Sequence, residues 1–410
     1  MRAASALIVL WAVMAVAEDR SVHLYVSADR TQMTAAGTAI EAGVRAALRA
    51  ALRAAGDSLA GRPVRLVLQD HRGNSRRSRR HLEAFAEDSL ALAMVCGLHS
   101  PPVLDNLDFI NKRRVLLLDP WAAAAPITRP ATGENWVFRL SVDDALAGAH
   151  IVGDALAQGY TRPYLLLEQT GWGESNERTM TAALVAAGEH AAGVGWFSWG
   201  LSDLGARLLL RDVLASRADV VLLVANAPEG AKLAAAMADL PPEERLPMRS
   251  HWGITGGGFV RDLGPDRLSR LDLRFLQTRF TPASGPTPAH QRALESARQA
   301  MPLAAQTFED LAAPAGFVHA HDLTLLLRAA LEQSGWGPDM AATRLRVKAA
   351  FEDLGQPVQG LLRAYERPFG PYVPGTPDAH EALGAGDLTM ARYDASGRIG
   401  IEAAAGRRRP

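Results

Sequence analysis

The segment 115–140 carries the residues best suited to ligand recognition. An apolar run, Val115 to Leu118, predicts a buried parallel strand. It breaks at Asp119-Pro120 into a loop of small residues, and Trp121 projects from that loop. Ligands of open α/β sheets bind at such strand ends, where backbone amides can approach a bound group. The segment therefore predicts a recognition loop. The alternative is a plain connection with Trp121 filling the core.

Histidines raise the possibility of a metal site. The candidates are His99, His251, His319 and His321. Two or three of them would have to converge with a carboxylate such as Asp119 or Asp322. His319 and His321 are two positions apart on a predicted helix and therefore point to different faces. We expect hydrogen-bonded histidines with no metal or cofactor, and His99 and His251 as possible ligand donors.

Motifs for nucleotide binding and for hydrolysis are incomplete. The run Gly256 to Gly258 is not followed by Gly-Lys-Ser/Thr, so a phosphate loop is not indicated. The chain has no Gly-x-Ser-x-Gly elbow, and Ser100 beside His99 is not a triad because adjacent residues rarely face each other. The sequence therefore predicts a protein that is not an enzyme.

Composition favours a globular chain without nucleic-acid partners. Of 410 residues, 48% are hydrophobic, which is enough for two packed domains. Lys plus Arg and Asp plus Glu each number 44, so no net charge points to nucleic acid or to an anionic membrane. Cys96 is the single cysteine and cannot form an internal disulfide. It also lies too far from the N-terminus for a lipid anchor on the mature chain.

The N-terminus has the pattern of a cleavable signal peptide. Met1-Arg2 precedes an apolar stretch, Ala3 to Ala17, that ends in small residues. The stretch has about 15 residues, whereas a membrane span needs roughly 20. We expect residues 1–17 to be removed, Glu18 to begin the mature protein, and the product to be soluble in the periplasm of a Gram-negative bacterium. An uncleaved anchor is the alternative.

Apolar strand-like runs alternate with amphipathic helical runs along most of the chain. The first set of predicted strands is Val22–Val26, Val64–Gln69, Leu92–Cys96 and Val115–Leu118, and a second set begins after Ser141 with Tyr164–Leu167, Val194–Phe197 and Val220–Ala225. This alternation is typical of parallel sheets with helices on both faces. No Pro/Ser-rich linker separates the two sets, so we expect two lobes with a cleft between them.

The mature chain resembles the type I periplasmic binding proteins, in particular the Leu/Ile/Val-binding branch of ABC-transporter receptors. The motifs that carry the resemblance are Gln69-Asp70 with Gly73, Gly97-x-x-Ser100, Asp119-Pro120-x-Ala-Ala, Val137-Phe138-Arg139, Gly171-Trp172-Gly173, Asn226-Ala-Pro-Glu229, Phe317-Val318 and Tyr365-x-x-Pro368-Phe369. Each motif is weak by itself. Their order and spacing over nearly the whole mature chain are what make the resemblance specific.

The resemblance implies an α/β fold of two doubly wound parallel-sheet lobes, joined by three crossovers and closing like a hinge. Lobe one is then expected to comprise residues 18–140 plus 278–352. Lobe two is expected to comprise residues 141–277 plus 353–410.

The resemblance also implies which residues contact the ligand in lobe one. Ser100 and the loop Trp121-Ala122-Ala123 match positions that hold a ligand carboxylate in amino-acid receptors of this family. Hydroxyl and loop amide donors suit an anion. Ala123 stands where a threonine is usual, so one hydroxyl donor is lost.

In lobe two, Trp172 matches a position that usually carries a stacking tyrosine, and either Asn226 or Ala227 matches another tyrosine position. Phe317 matches a common apolar contact. Trp252 falls where an acidic residue normally pairs with the ligand's ammonium group.

This last departure bears on the ligand. Burying an ammonium without its partner costs several kcal/mol, whereas cation–π stacking returns roughly 0.5–2 kcal/mol. An aliphatic amino acid is therefore disfavoured unless another acid supplies the charge; the candidates are Glu168, Glu174, Glu229 and Asp322. We expect Trp121, Trp172 and Trp252 to form an aromatic clamp around a ligand with an apolar, planar or quaternary-ammonium face. The alternative is that Trp252 packs under the hinge.

The expected function is therefore that of a monomeric receptor that delivers a small molecule to an ABC permease in the inner membrane. Three alternatives stay open at this stage. They are a ligand-sensing subunit of a membrane sensor, a conventional branched-chain amino-acid binder, and an enzyme.

Overall fold

The computed structural model describes residues 21–50, 58–131 and 133–401. The expected signal peptide, 1–17, lies outside these residues. Within them, no helix combines the length and the apolar character that crossing a membrane requires.

The described chain alternates strands and helices, as predicted. The strands are β1 (Val22–Ala28), β2 (Ser58–Leu59), β3 (Arg62–Asp70), β4 (Ala91–Cys96), β5 (Leu117–Asp119), β6 (Val137–Arg139), β7 (Pro163–Glu168), β8 (Gly193–Phe197), β9 (Val220–Val224), β10 (Met248–Ser250), β11 (Leu273–Thr278), β12 (Val358–Gln359), β13 (Ala364–Tyr365), β14 (Leu388–Tyr393) and β15 (Ile399–Ile401). The helices are α1 (Thr34–Ala50), α2 (Ser75–Glu87), α3 (Ser100–Leu104), α4 (Leu107–Lys112), α5 (Asp144–Ala157), α6 (Gly171–Ala186), α7 (Asp203–Ala215), α8 (Ala227–Ala238), α9 (Phe259–Leu263), α10 (Pro265–Leu268), α11 (Pro288–Ala300), α12 (Pro314–Ser334) and α13 (Met340–Glu352).

Two sheets form the centres of two lobes. The first has the order β2-β3-β1-β4-β5-β6 and is parallel except for β2. The second has the order β15-β14-β11-β10-β9-β7-β8, and its five strands from β11 to β8 are parallel. β14 and β15 add antiparallel pairs at one edge. The predicted α/β class with two sheet-centred lobes is confirmed, and both sheets are mixed, since each has antiparallel pairing at one edge.

Central strands are buried along their whole length. Every residue of β4 and of β9 is buried, because helices cover both faces of each sheet. The strand predicted at Val115–Leu118 begins two residues later, at Leu117. The Val115 N–H still donates to Ile110 O (2.9 Å) of α4, whereas Leu116 O already accepts a hydrogen bond from Met94 N of β4 (2.9 Å).

Helices α11 to α13 pack with lobe one. Gly43 of α1 lies so close to α12 that a Cβ at this position would overlap the Phe317 carbonyl. The stretch after α13 also contacts this lobe, since Asp322 of α12 accepts hydrogen bonds from Leu361 N (2.7 Å) and Tyr365 Oη (2.9 Å).

The second sheet takes up β14 and β15 from the C-terminal region. The sequence-based division assigned all of 353–410 to lobe two. Since 353–383 contacts lobe one, as in the Phe369–Phe138 ring pair (5.0 Å), we propose that the third crossover lies just before β14.

Candidate functional site

A small cavity lies between the lobes, at the carboxyl ends of the parallel strands. Its volume is about 10 Å³, enough for about one water molecule, so the lobes are packed closely on each other in this form and must move apart to admit a ligand. Lobe one contributes Leu98, His99, Ser100, Pro101, Trp121, Ala122 and Ala123, and lobe two contributes Glu168, Trp172, Asn226, Trp252 and Gly253. All the predicted site residues except His251 and Phe317 are thus brought together. Their roles as ligand contacts stay predictions.

The lobe-one side of the cavity presents hydrogen-bond donors. Ser100 begins α3, and its Oγ accepts a hydrogen bond from Ala124 N (3.2 Å), which leaves the hydroxyl proton available. Neither the Ser100 nor the Ala123 N–H has an acceptor among the described residues. A hydroxyl and two amides without acceptors therefore belong to the two lining residues, Ser100 and Ala123, on the side where a carboxylate was expected.

Asp119 holds this loop in place from the end of β5. Its Oδ1 accepts hydrogen bonds from Trp121 N (3.0 Å) and Ala122 N (2.8 Å). The carboxyl is fully buried, and this burial raises its pKa to about 8. Arg139 and the two loop amides lower the pKa of Asp119, but their effect is smaller than the rise caused by the loss of hydration.

Arg139 was part of a recognised motif, but the sequence did not indicate its contact with the loop. From the end of β6, its Nη1 donates to Ala122 O (3.2 Å) and Ala124 O (2.9 Å). These two carbonyls flank the Ala123 amide, so Arg139 orients the loop without lining the cavity.

The lobe-two side contains a buried acid. Glu168 ends β7 and is fully buried. Its Oε2 accepts a hydrogen bond from Asn226 Nδ2 (2.8 Å), and its Oε1 accepts one from Thr170 Oγ1 (3.2 Å). Burial raises the pKa of Glu168, and interactions with Trp199, His99 and Asn226 lower it in part. Of the four acids considered as replacements for the missing charge, Glu168 is the one in the cavity wall.

His99 offers a second acceptor. Its Nε2 lies 3.1 Å from Asp29 Oδ2. Burial alone would raise the pKa of Asp29, but hydrogen bonds from His99 and from the Gln32 and Thr31 amides lower it to about 2. The ionised carboxylate therefore accepts a hydrogen bond from Nε2–H. The buried Nδ1 has no partner among the described residues and is an acceptor when Nε2 carries the only ring proton.

Trp121 and Trp252 stack directly on each other across the lobes. Their ring centroids are 4.5 Å apart, with an angle of 21° between the planes. An aromatic ligand between them would need roughly twice that distance, since stacked atoms lie about 3.5–4 Å apart. The two rings therefore close on each other in this form, and the aromatic clamp of Trp121, Trp172 and Trp252 around a ligand stays a prediction. Trp172 lines another part of the cavity, and its buried indole N–H has no partner among the described residues.

His251 and Phe317 are separated from the cavity by their own contacts. His251 Nε2 lies 3.0 Å from Asp144 Oδ1, and its Nδ1 accepts a hydrogen bond from Trp252 N (2.9 Å). Both ring nitrogens are therefore used, and the ring supports Trp172 edge-on at 5.0 Å. Phe317 is fully buried and packs on Phe308 (6.0 Å) inside lobe one.

The remaining histidines considered for a metal site also have protein partners. His319 lies between Pro120 O (2.9 Å) and Thr278 Oγ1 (2.8 Å), and His321 lies beside Asp322 (2.8 Å). In the part of the chain that the structure describes, no group of three or more His, Cys, Asp or Glu residues is arranged to hold a metal ion.

Gly173 sets the distance between α6 and β7, and a substitution there should be costly. A Cβ at Gly173 would overlap the Glu168 carbonyl oxygen and lie 3.1 Å from the Trp196 ring. We expect Gly173→Ala to lower the free energy of unfolding by about 1–3 kcal/mol, measured by urea denaturation. Gly153→Ala, on an exposed part of α5 with open space, is the control and should be neutral or stabilising. Equal changes in the free energy of unfolding for Gly173→Ala and Gly153→Ala would show that the close contact at Gly173 does not limit the packing of α6.

Comparisons with known proteins agree with this architecture. A family model described as periplasmic binding protein matches residues 26–398. A periplasmic binding protein type 1 from Bordetella pertussis Tohama I is similar in structure, with 16% identity, a TM-score of 0.76, and coverage of 93% of this chain and 99% of that one. The comparison with curated proteins gave no match.

Two further solved structures carry ligand information in their descriptions. One is a solute-binding protein of an ABC transporter from R. palustris in complex with 4-hydroxybenzoate (15% identity, TM-score 0.71, 93% of this chain and 95% of that one). The other is a leucine-binding protein from Thermotoga maritima MSB8 (15% identity, TM-score 0.69, 93% and 98%). At this identity the similarity shows the fold. Together with the family match over most of its length, the two-lobed architecture establishes that the chain belongs to the periplasmic binding protein family.

Proposed function

We propose that this protein is the solute receptor of an ABC importer, exported by the signal peptide 1–17, and that it binds a small organic acid between its lobes. The observation that carries the proposal is the polarity of the cavity. Donors on the lobe-one side face a buried carboxyl group, Glu168, on the lobe-two side. The family and the ligands of its structural relatives support it.

The carboxylate of the ligand is placed at Ser100 and Ala123. A hydroxyl and two backbone amides without protein acceptors are fixed donors, and such donors bind an anion more strongly than a neutral group. Among the described residues, no Lys or Arg side chain lines the cavity. The anion therefore depends on hydrogen bonds, which favours a delocalised carboxylate over a more highly charged group.

The opposite end of the ligand should carry a hydrogen-bond donor. Both Glu168 and the His99 Nδ1 atom present acceptors in a desolvated cavity. A ligand without an O–H or N–H group at this end would leave the His99 Nδ1 atom unpaired, at a cost of about 1–3 kcal/mol, whereas Glu168 keeps its hydrogen bonds from Asn226 and Thr170. The three indole rings favour an apolar or planar body between the two ends.

Two ligand classes satisfy these conditions. A hydroxyl-bearing aromatic acid would donate its O–H toward Glu168 or His99 and present a planar body. An amino acid would place its ammonium group at Glu168. This carboxyl would then supply the negative charge that is missing where Trp252 replaces the usual acidic residue. We favour the aromatic acid because a neutral hydroxyl does not require Glu168 to ionise, whereas burial holds the pKa of this group above its usual value.

Closure follows from the two-sided contacts. Both lobes touch the solute in the closed form only, so binding shifts the population toward that form. A permease partner can then distinguish the loaded receptor from the empty one by its shape.

Glu168→Gln should separate the two ligand classes. We expect the variant to bind 4-hydroxybenzoate within about tenfold of the wild type, because a glutamine oxygen still accepts a hydrogen bond. If leucine binds the wild type, the affinity of the variant for leucine should be at least about a hundredfold lower, because the ammonium group would be buried without its counter-charge. Isothermal titration calorimetry with 4-hydroxybenzoate, benzoate, leucine and betaine measures this.

Glu174→Gln, at a position on the exposed side of α6, is the matched control and should leave all affinities unchanged. Benzoate, which lacks the second donor, should bind more weakly than 4-hydroxybenzoate. If benzoate and 4-hydroxybenzoate bind equally well and Glu168→Gln has no effect on either, the far end of the cavity has been assigned wrongly.

A further inference from the structure

A second aromatic contact between the lobes lies beside the cavity, at Trp199. This residue follows β8 in lobe two, and its ring lies 5.3 Å from the ring of His99 in lobe one. It also covers Gly73 of lobe one, where a Cβ would lie 2.7 Å and 2.8 Å from two atoms of the indole. Trp199 is half-buried, and its fully buried indole nitrogen lies close enough to Glu168 to lower the pKa of that carboxyl group, although no hydrogen bond of standard geometry joins the two.

The loop that carries Trp199 is anchored to lobe two. The neighbouring Gly200 N donates to Glu229 Oε1 (2.8 Å), and Lys232 Nζ donates to Leu201 O (2.6 Å). Both partners belong to α8, which begins beside the cavity residue Asn226. Trp199 therefore moves with lobe two as a rigid projection.

The surface that receives the ring is equally fixed in lobe one. Gly73 has a positive φ of 67°, and its N–H donates to His71 Nδ1 (3.0 Å). His99 is held by Asp29. A side chain at position 73 would occupy the space that the indole takes in the closed form.

We propose that Trp199 is an interlobe latch, whose ring packs on His99 and Gly73 and so holds the lobes closed over the cavity. The inference deepens the proposed function, because a latch retains whatever solute lies between the lobes. Trp199 does not itself belong to the cavity lining, but it contacts two residues that do, His99 by its ring and Glu168 by its indole nitrogen. It acts on closure, with or without a bound solute.

Two variants test the latch from opposite lobes. Trp199→Ala removes the ring, and Gly73→Ala fills the space that receives it. Gly335→Ala is the control for backbone strain, because Gly335 has nearly the same φ (66°) and open space around it. Trp199→Phe keeps a ring and should restore closure in part.

The readout is the distance between spin labels on the two lobes, measured by double electron–electron resonance without ligand. Ala84→Cys on α2 and Arg211→Cys on α7 are exposed attachment sites, and Cys96 is buried. We expect both Trp199→Ala and Gly73→Ala to lower the ratio of closed to open protein by about two- to tenfold, as the loss of one aromatic contact predicts. Gly335→Ala should match the wild type.

Distance distributions for Trp199→Ala and Gly73→Ala that coincide with that of Gly335→Ala would overturn the latch. This measurement does not depend on the identity of the ligand. A failure of 4-hydroxybenzoate and leucine to bind in calorimetry would count against the proposed function and would leave the latch result standing.

Discussion

Replacing Arg139 with methionine is expected to lower the free energy of unfolding by about 3–5 kcal/mol. The guanidinium group is fully buried, and it pairs with Glu381 (2.6 Å) and Asp143 (2.9 Å). Methionine would leave Glu381 buried without its main counter-charge. The Ala122 and Ala124 carbonyls would also lose their donor, so ligand affinity should fall as well. Urea denaturation and calorimetry measure the two effects.

A surface ion pair provides the control. Arg114 and Glu134 are 3.3 Å apart and about half exposed, so Arg114→Met should change stability by no more than about 1 kcal/mol. Adding Glu381→Met to Arg139→Met should recover part of the loss, because Asp143 keeps Arg129 at 2.5 Å. Similar losses for Arg139→Met and Arg114→Met would show that the buried cluster does not stabilise the fold.

Asp119 should make the protein less stable as the pH rises toward 8. Burial raises its pKa from the usual 3.8 to about 8, so the folded protein binds this proton more tightly than the unfolded chain does. The stabilisation is complete below pH 3.8 and is lost as the pH rises through 8, with a slope of at most about 1.4 kcal/mol per pH unit. Asp119→Asn keeps an acceptor for the Trp121 and Ala122 amides but cannot ionise, so it should remove this slope.

The measurement compares free energies of unfolding between pH 6.5 and 8.5. Below pH 6.5, buried His71 and His319 make the stability rise with pH, opposite to the effect of Asp119. The reason is that burial lowers the pKa of each ring, to about 3 and about 4. Asp108→Asn, at an exposed position on α4, should keep the wild-type slope. If Asp119→Asn also keeps it, the carboxyl is ionised in the folded protein at neutral pH.

The two predictions concern one structural arrangement. Arg139 binds the carbonyl groups of the recognition loop, and Asp119 binds its amides. The cavity geometry on the lobe-one side therefore depends on two buried ionisable groups that do not themselves face the ligand.

Local sequence patterns were sufficient to predict the elements, and the resemblance to the type I periplasmic binding proteins indicated most of the cavity lining. Continuous apolar runs such as Val220–Val224 are typical of strands covered on both faces, whatever the rest of the chain does. Because parallel strands end at a common edge, the loops after them must also lie close together. Ser100 and Trp121 were therefore predictable as neighbours.

Side-chain orientation, in contrast, was decided by partners distant in the chain. His251 faces Asp144, 107 residues away, and this pairing removes it from the ligand site. Trp252 lies at the cavity, as the clamp required, but stacks on Trp121. A sequence pattern specifies which face of an element is apolar. It does not specify with which of several possible partners a side chain forms its hydrogen bond or ring contact.

The sequence by itself thus determined the alternation of elements, the two sheets and the loops that meet between them, because these follow from local periodicity and chain connectivity. The tertiary structure alone decided that Glu168 supplies the buried acid, that Arg139 and Asp119 hold the recognition loop, and that Trp199 reaches across to His99. These contacts depend on the packing of residues far apart in the chain, where burial determines the cost of every polar group left without a partner.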